Sequence, residues 1–368
     1  MSNYYSKDDN AILEIDLKAL SKNYKNLKKK LDKKVNCAAT VKANAYGIGD
    51  KPVVKSLIKD GCKIFFVAHF SEAVRLRNYS KSIQIFCYHG INLKNFKDFI
   101  RYNIVPVTNT LQQVLMIDSL NKQKKFNKKI AIHFDTGMSR LGLDKKETKW
   151  LIDNKSKISN IKIELIMSHL ACADQPKNPM NEKQLQNFNL IRKEFKKSKA
   201  SLANSAGIFL NKKYHFDLVR PGIALYGGNP FINKNIKFHN VIKLKAKIIQ
   251  IRQIQKNDTV GYGATFKAKR DMLVGTIAVG YADGINRKFS NNMYVSLNNK
   301  DLKVLGRISM DLITIDISLF PELLNSKKII YVDVINKSNN INNISKNINT
   351  ISYEILTSLG NRYKRKYI

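Results

Sequence analysis

Between Val35 and Gly222, short apolar runs rich in β-branched residues alternate with longer amphipathic segments. A short run of that kind suits a strand buried on both faces, and the longer segments suit crossover helices, so the alternation predicts parallel βα units. The candidate strands read "CAATVK", "IFFVAHF", "IQIFCY", "IVPVTN", "IAIHFD", "IELIMSH", "SLANS" and "FDLVRPG". That makes eight, and eight strands each followed by a crossover predict a (β/α)₈ TIM barrel, with its chemistry at the carboxyl ends of the strands. The intervening segments "DKPVVKSLIKDG", "SEAVRLRNYS", "NLKNFKDFIRYN", "TLQQVLMIDSLN" and "NEKQLQNFNLIRKEFKK" read as helices, several opening on an N-cap type of residue. The earlier stretch "AILEIDLKALSKNYKNLKKKL" predicts a short strand and a helix leading in.

After about His239 the texture changes. "VIKLKAKIIQIRQI", "DMLVGTIAVGY", "NMYVSLNN", "LKVLGRIS" and "DLITIDIS" are short alternating runs separated by Gly and Asn, which predicts a second, mostly-β domain. The expected division is a barrel over 11–238 and a β-rich domain over 239–368, with residues 1–10 packing on the latter. In the Asn-rich segment before the last element, Ile341, Ile344 and Ile348 recur at helical spacing, so a polar helix is expected there rather than a disordered linker.

The formal net charge of +37 raises nucleic acid or an anionic membrane as partners. The lysines are spread along the chain, and runs such as "NLKKKLDKK" flank helices. With no zinc-finger spacing, RNA-recognition signature or aromatic-interleaved basic stripe, no nucleic-acid partner is expected. Four cysteines, Cys37, Cys62, Cys87 and Cys172, show no paired spacing, as expected for reduced thiols in a cytoplasmic protein. The polar start "MSNYYSKDDN" resembles neither a secretory nor a transit segment, and no apolar run reaches spanning length, so no membrane partner is expected.

Chemistry is expected where polar residues fall at the barrel mouth. Lys42 follows "CAATV" without a polar break and should close the first strand. A lysine emerging from a core strand is partly desolvated, which favours the neutral amine needed to join an aldehyde. Barrels often hold phosphate with the loops after strands 7 and 8, here "ANSAG" and "VRPGIALYGG". Ser205 offers a hydroxyl, Gly222 and Ile223 backbone N–H groups at a helix start, and Tyr46 reaches the same place. A phosphate beside an imine-forming lysine suggests pyridoxal phosphate. Arg140 is a candidate grip for a substrate carboxylate. His169 follows the sixth strand and, taken alone, reads as a hydrogen-bonded core histidine ahead of a site residue.

These residues stand in a longer series of motifs. "VKANAYG", "DTGMSRLG", "SHLACAD", "NSAG", "VRPGIALYG", "GYGATF", "GYADG", "GRISMD" and "YEILTSLGNRYKR", in this order, resemble the alanine racemase family over nearly the whole chain. The resemblance implies that Lys42 carries pyridoxal phosphate covalently and that Tyr46, Ser205, Gly222 and Ile223 bind its phosphate. It implies Arg220 at the pyridine nitrogen, His169 near the ring and Arg140 on the substrate side. It also implies a homodimer with shared active sites, in which Tyr281 and Met310 arrive from the partner subunit. Lys42 and Tyr281 would then be the two bases that exchange the α-proton of alanine, the small-molecule substrate. Two departures stand out: His133 occupies a position where many members carry a carbamylated lysine, and Asn361 one where some carry a phosphate-binding tyrosine. The competing readings are a racemase of serine, lysine, arginine or a broader set, a decarboxylase of related architecture, and a noncatalytic pyridoxal phosphate carrier.

Overall fold

The computed structural model describes residues 10–124, 127–231, 234 and 236–368, with the backbone alone at Lys124. The chain divides into two compact units, one built chiefly from Ser21–Leu225 and the other from the residues up to Leu20 together with His239–Ile368.

In the first unit the predicted parallel strands form. They are Asn36–Cys37 continued by Ala39–Thr40, then Ile64–Val67, Gln84–Cys87, Val105–Thr108, Lys129–His133, Lys162–Met167, Lys199–Ser201 and Leu218–Val219. Neighbours pair in chain order from Ala39–Thr40 to Lys199–Ser201. Leu218 and Val219 pair in parallel with Asn36 and Cys37, bringing the eighth strand beside the first. The Asp217 N–H donates to the Ala200 carbonyl and the Arg220 N–H to that of Ala203, both at 3.0 Å, so the seventh strand meets the eighth and the barrel closes. Side chains two apart on a strand share a face. Thus Ile64 and Phe66, Val105 and Val107, and Leu165 and Met167 fill the interior with Ala38, Phe86, Ala131 and Leu218. Phe66 and Phe86 stack there at 4.7 Å, a contact worth about 0.5–1.5 kcal/mol beyond the area it buries.

The outer helices start where the sequence supplies caps. Asp144 accepts the Glu147 N–H at 2.8 Å before Lys145–Asp153, and Asn178 accepts the Met180 N–H at 3.0 Å before Pro179–Glu194. The helix expected from "DKPVVKSLIKDG" spans Asp50–Lys59.

The second unit is built around the 13-residue strand Ile242–Ile254. Its first half pairs with Tyr331–Ile335 and its second half with Met272–Ile277, with a register shift near Ile248–Gln250. Met272–Ile277, Ile313–Asp316, Lys300–Leu305, Tyr294–Leu297 and Tyr331–Ile335 are neighbours in that order, closing an antiparallel ring on the long strand. The bend at the shift lets one strand join both ends of the ring. The expected polar helix forms at Ile341–Asn347, and Ile341, Ile344 and Ile348 are all buried.

The strand Ala11–Ile15 departs from the sequence expectation. Rather than opening the barrel, it pairs antiparallel with Ile242–Ala246 and parallel with residues of Lys364–Tyr367, and belongs to the β unit. Of the expected packing of residues 1–10, only Asn10 lies within the described residues, and its carbonyl accepts the Lys247 N–H at 2.8 Å. The cysteines are free thiols, three of them buried. Among the described residues no helix is long and apolar enough to cross a membrane.

Candidate active site

Lys42 does not end the first strand as expected: the strand stops at Thr40, and the chain then coils the wrong way. Ala43, Asn44, Ala45 and Tyr46 have φ of 53°, 54°, 52° and 56°, a full left-handed turn without glycine. Left-handed coiling of L-residues costs about 1–2 kcal/mol each, so four of them carry roughly 4–8 kcal/mol that their surroundings must offset. Backbone bonds do part of this. The Ala45 N–H donates to Val41 O at 3.0 Å, the Gly47 N–H to Ala43 O at 2.8 Å, and the Gly49 N–H to Asn44 O at 2.9 Å. Side chains supply the rest: Asn44 Oδ1 accepts the N–H of Asp50, which opens the next helix, at 2.9 Å, and Glu72 Oε1 accepts the Ala43 N–H at 2.6 Å. The turn carries Tyr46 inward, where 5% of its surface is exposed.

Tyr46 ends against Gly222. A Cβ built at Gly222 would lie 2.2 Å from the tyrosine oxygen, so only glycine admits the hydroxyl there. Ser205 stands under the same loop: its Oγ accepts the Gly222 N–H at 2.9 Å and the Ala224 N–H at 3.3 Å. With both lone pairs engaged, the Ser205 proton is what remains for a ligand. Among the described residues the Ile223 N–H makes no hydrogen bond. The helix start expected here is a single 3₁₀ turn, Ile223–Tyr226, too short for a macrodipole. Its contribution to an anion is therefore individual N–H donors. The Tyr46 hydroxyl, the Ser205 hydroxyl and the Ile223 amide gather polar groups around one loop, a donor set suited to an anion.

Lys42 is accessible, yet desolvation lowers its pKa from the usual lysine value. The Arg140 guanidinium lowers it further and Glu72 opposes the drop. Its amine is therefore closer to the neutral, nucleophilic form than a surface lysine.

Arg220 lies in the barrel, 3% exposed, with its guanidinium 5.9 Å from the Phe66 ring centroid. Its Nε donates to Ser201 Oγ at 2.9 Å, its Nη2 to the Ser168 carbonyl and to Leu202 O at 3.2 Å, and its Nη1 lies 3.5 Å from His169 Nδ1. Burial first, then Arg220 and Arg140, hold His169 well below the ordinary histidine range. It is a neutral imidazole beside a permanent cation.

Arg140 is exposed and makes no ion pair among the described residues. The aspartate of its motif is occupied elsewhere: Asp135 accepts the Gly137 and Met138 N–H groups at 2.9 Å and that of Ser139 at 3.0 Å, shaping the loop rather than gripping the arginine. His133 is 7% exposed, and its Nδ1 lies 3.1 Å from Asn109 Oδ1. Asn109 spends its NH₂ on Tyr88 O and Val107 O, which fixes Oδ1 as acceptor and so assigns the proton to His133 Nδ1. Desolvation, with Arg220 and Arg140, takes His133 down to about 3. It is a neutral side chain where a carbamylated lysine would be anionic.

Tyr281 and Met310 stand in the β unit. They are 44% and 53% exposed, on loops joined by the Tyr281 N–H to Ser309 O and the Ala282 N–H to Met310 O, both at 3.0 Å. Buried Asp283 fastens the tyrosine loop, taking the Gly280 N–H at 2.9 Å and the Arg362 Nε and Nη2 at 2.7 Å each. Arg362 also reaches Asp311 at 2.7 Å, so one guanidinium ties both loops.

Sequence reasoning missed Glu72, His69, His89 and the Asp283–Arg362 pair. Glu72 had a signal, a glutamate at the third position of the helix Phe70–Tyr79, but not its bond to Ala43. His69 and His89 meet edge to face at 4.5 Å, and burial, His69 and Lys42 lower the pKa of His89.

Two family descriptions match the chain: alanine racemase, N-terminal domain, over residues 15–230, and alanine racemase, C-terminal domain, over 241–367. An alanine racemase of Rickettsia rickettsii is 40% identical over 97% of this chain and 98% of its own. One of Brucella abortus is 40% identical over 100% and 97%. The crystal structure of alanine racemase from Bartonella henselae with covalently bound pyridoxal phosphate superposes with a TM-score of 0.91, at 38% identity, over 98% of this chain and 100% of that one.

Proposed function

Since the chain belongs to the alanine racemase family, we propose that it interconverts L- and D-alanine by a two-base exchange of the α-proton, with Lys42 and Tyr281 of the partner subunit as the bases. The family is one of isomerases acting on amino acids, and the cofactor is pyridoxal phosphate. When bound, that group supplies an electron-withdrawing ring that acidifies the α-carbon of an amino acid joined to it.

The residues fit the group. The observation that carries the reading is the coincidence, at strand ends of one barrel, of an amine with a lowered pKa and a set of anion donors beside the Tyr46–Gly222 contact. Lys42 would hold the cofactor, and Tyr46, Ser205, Gly222 and Ile223 its phosphate. Arg220 would face the pyridine nitrogen, and a guanidinium keeps its protons, so that nitrogen would stay unprotonated. Its contacts to Ser201, Ser168 and His169 leave it little freedom to move.

The α-proton must leave one face of the α-carbon and return to the other, so a proton carrier on each face serves both directions. Lys42, once released by substrate, would act on one face. Tyr281 would act on the other, and its exposure in the isolated chain supports its offering the hydroxyl to a second subunit in a homodimer. Arg140, exposed and without an ion pair among the described residues, would meet a substrate carboxylate. Met310 beside Tyr281 would narrow the pocket to a methyl-sized side chain. A cytoplasmic location, with D-alanine passed to cell-wall synthesis, completes the proposal.

A chiral assay with L-alanine and with D-alanine tests it. Tyr281→Phe should keep the cofactor's absorbance and lose conversion of L-alanine preferentially. Undiminished turnover of both enantiomers by this variant would remove tyrosine from the mechanism. A panel of L-serine, L-lysine and L-arginine decides substrate breadth, and turnover above that of alanine would replace alanine as the substrate.

A further inference from the structure

One acid reaches the left-handed turn after Lys42 from outside. Glu72 is 6% exposed and spends its carboxylate on three backbone amides: Ala43 at 2.6 Å, Ala68 at 2.9 Å and His69 at 3.0 Å. Ala68 and His69 follow the second barrel strand, Ile64–Val67, which pairs with the first. Ala43 follows Lys42 directly. One carboxylate thus bridges the loops after two neighbouring strands, and its shortest bond lands on the first residue of the strained turn. Every one of these bonds has an ionised acceptor, the stronger class of hydrogen bond.

The turn has two ends that must act on one ligand. At one end is the Lys42 amine, within electrostatic reach of Arg140, Glu72, His89 and His169, which come from four other strand ends of the barrel. At the other is the Tyr46 hydroxyl against Gly222. If the turn relaxes to right-handed coiling, the residues after Lys42 rotate and the amine and hydroxyl no longer converge. Backbone bonds inside the turn do not fix its direction relative to the barrel; the bond from Glu72 ties its first residue to the loop after the second strand.

We propose that Glu72 is a positioning residue for the proposed cofactor site: its carboxylate anchors the left-handed turn Ala43–Tyr46 to the second strand, so that Lys42 and Tyr46 hold one ligand at its two ends. The role rests on the pyridoxal phosphate reading given above. Glu72 touches neither ligand nor reacting atoms and acts through Ala43.

The test is made on the full-length protein, stripped of cofactor and given pyridoxal phosphate at a series of pH values, with covalent capture at Lys42 read by borohydride reduction and peptide mass. Two variants separate position from charge. Glu72→Gln keeps the length but offers one oxygen to three amides and puts an NH₂ against at least one of them. Glu72→Asp keeps the charge but is a methylene too short to span both loops. Loss of one charge-assisted hydrogen bond is expected to lower the plateau capture rate about tenfold or more in both variants. In Glu72→Gln the pH midpoint of capture should also fall, because Glu72 is the group that raises the Lys42 pKa against desolvation and Arg140. In Glu72→Asp the midpoint should stay. Amide exchange of the peptide holding Ala43–Tyr46 should quicken in both variants, while that of the helix Pro179–Glu194 does not, which distinguishes a local anchor from general unfolding. Wild-type plateau rates in both folded variants would overturn the role of Glu72 alone. A wild-type protein that captures nothing at Lys42 would overturn the cofactor reading and this role with it.

Discussion

Gly222→Ala is the smallest change that should disable the phosphate cradle. No left-handed φ is required at Gly222, so alanine costs nothing in backbone conformation and the effect is purely one of space. The new methyl would stand 2.2 Å from the Tyr46 oxygen and 3.0 Å from its ring carbon, both far inside ordinary contact. Tyr46 is 5% exposed and is itself the last residue of the strained turn, so it cannot step aside cheaply. Overpacking of this kind costs about 1–3 kcal/mol of stability. Displacing the hydroxyl would also remove one hydrogen bond to a charged phosphate, about 1.5–3 kcal/mol, or roughly ten- to 150-fold in cofactor affinity. The assay is a titration of stripped protein with pyridoxal phosphate, alongside thermal unfolding without it. Tyr46→Phe in the alanine background removes the atom at 2.2 Å but not the ring carbon at 3.0 Å, so it should restore part of the stability and little of the affinity. If Gly222→Ala binds the cofactor with wild-type affinity, the contact between Tyr46 and Gly222 does not form the phosphate site.

Further outcomes follow from the buried ionisable groups. His133 sits at about 3 in the folded chain against an ordinary value near 6.5, so the unfolded chain binds its proton first as pH falls. Stability should therefore be unaffected by this residue above pH 6.5 and decline below it by about 1.4 kcal/mol per pH unit until roughly pH 3. His133→Gln should flatten the decline in urea unfolding between pH 6.5 and 4, and an unchanged slope would show that His133 is not the group responsible. Asp283→Asn breaks a two-point ion pair whose arginine is half exposed, so a loss of about 1–3 kcal/mol is expected rather than the full cost of a buried pair. The same variant should loosen the loop of Tyr281, read as faster amide exchange there; a variant as stable as wild type would remove Asp283 as its anchor. Ser205→Ala deletes the hydroxyl under Gly222 and should weaken the cofactor about tenfold, with phosphate-free pyridoxal affected far less. Equal losses for both ligands would place the effect outside the phosphate.

The barrel was legible because its strands are buried on both faces and so are written as near-continuous apolar runs. The eighth strand is two residues long, yet "FDLVRPG" announced it, since a barrel core still had to be filled at Leu218. Ala11–Ile15 was misassigned for a related reason. A strand before a helix looks the same whichever sheet it joins, and its partner Ile242–Ala246 lies more than two hundred residues away. In the proposed site, Lys42 and Ser205 could be singled out from the sequence because an amine and a hydroxyl at strand ends are chemically specific, and Gly222 because it opens a loop. The left-handed turn could not, because "ANAY" has no glycine and local preference argues against that conformation. Its cause is tertiary: a glutamate 29 residues beyond Ala43 and a tyrosine drawn to Gly222. That Asp135 spends its carboxylate on its own loop, and that burial beside Arg220 and Arg140 keeps His133 neutral, were likewise invisible, since both depend on the folded surroundings.

The central claim concerns one amine on the barrel mouth. The full-length protein, incubated with pyridoxal phosphate, reduced with borohydride, digested and sequenced by mass spectrometry, should carry a single pyridoxyl group on Lys42, and Lys42→Ala should carry none. A reduced protein without that group on Lys42, or one labelled equally at other lysines of this lysine-rich chain, would contradict the account.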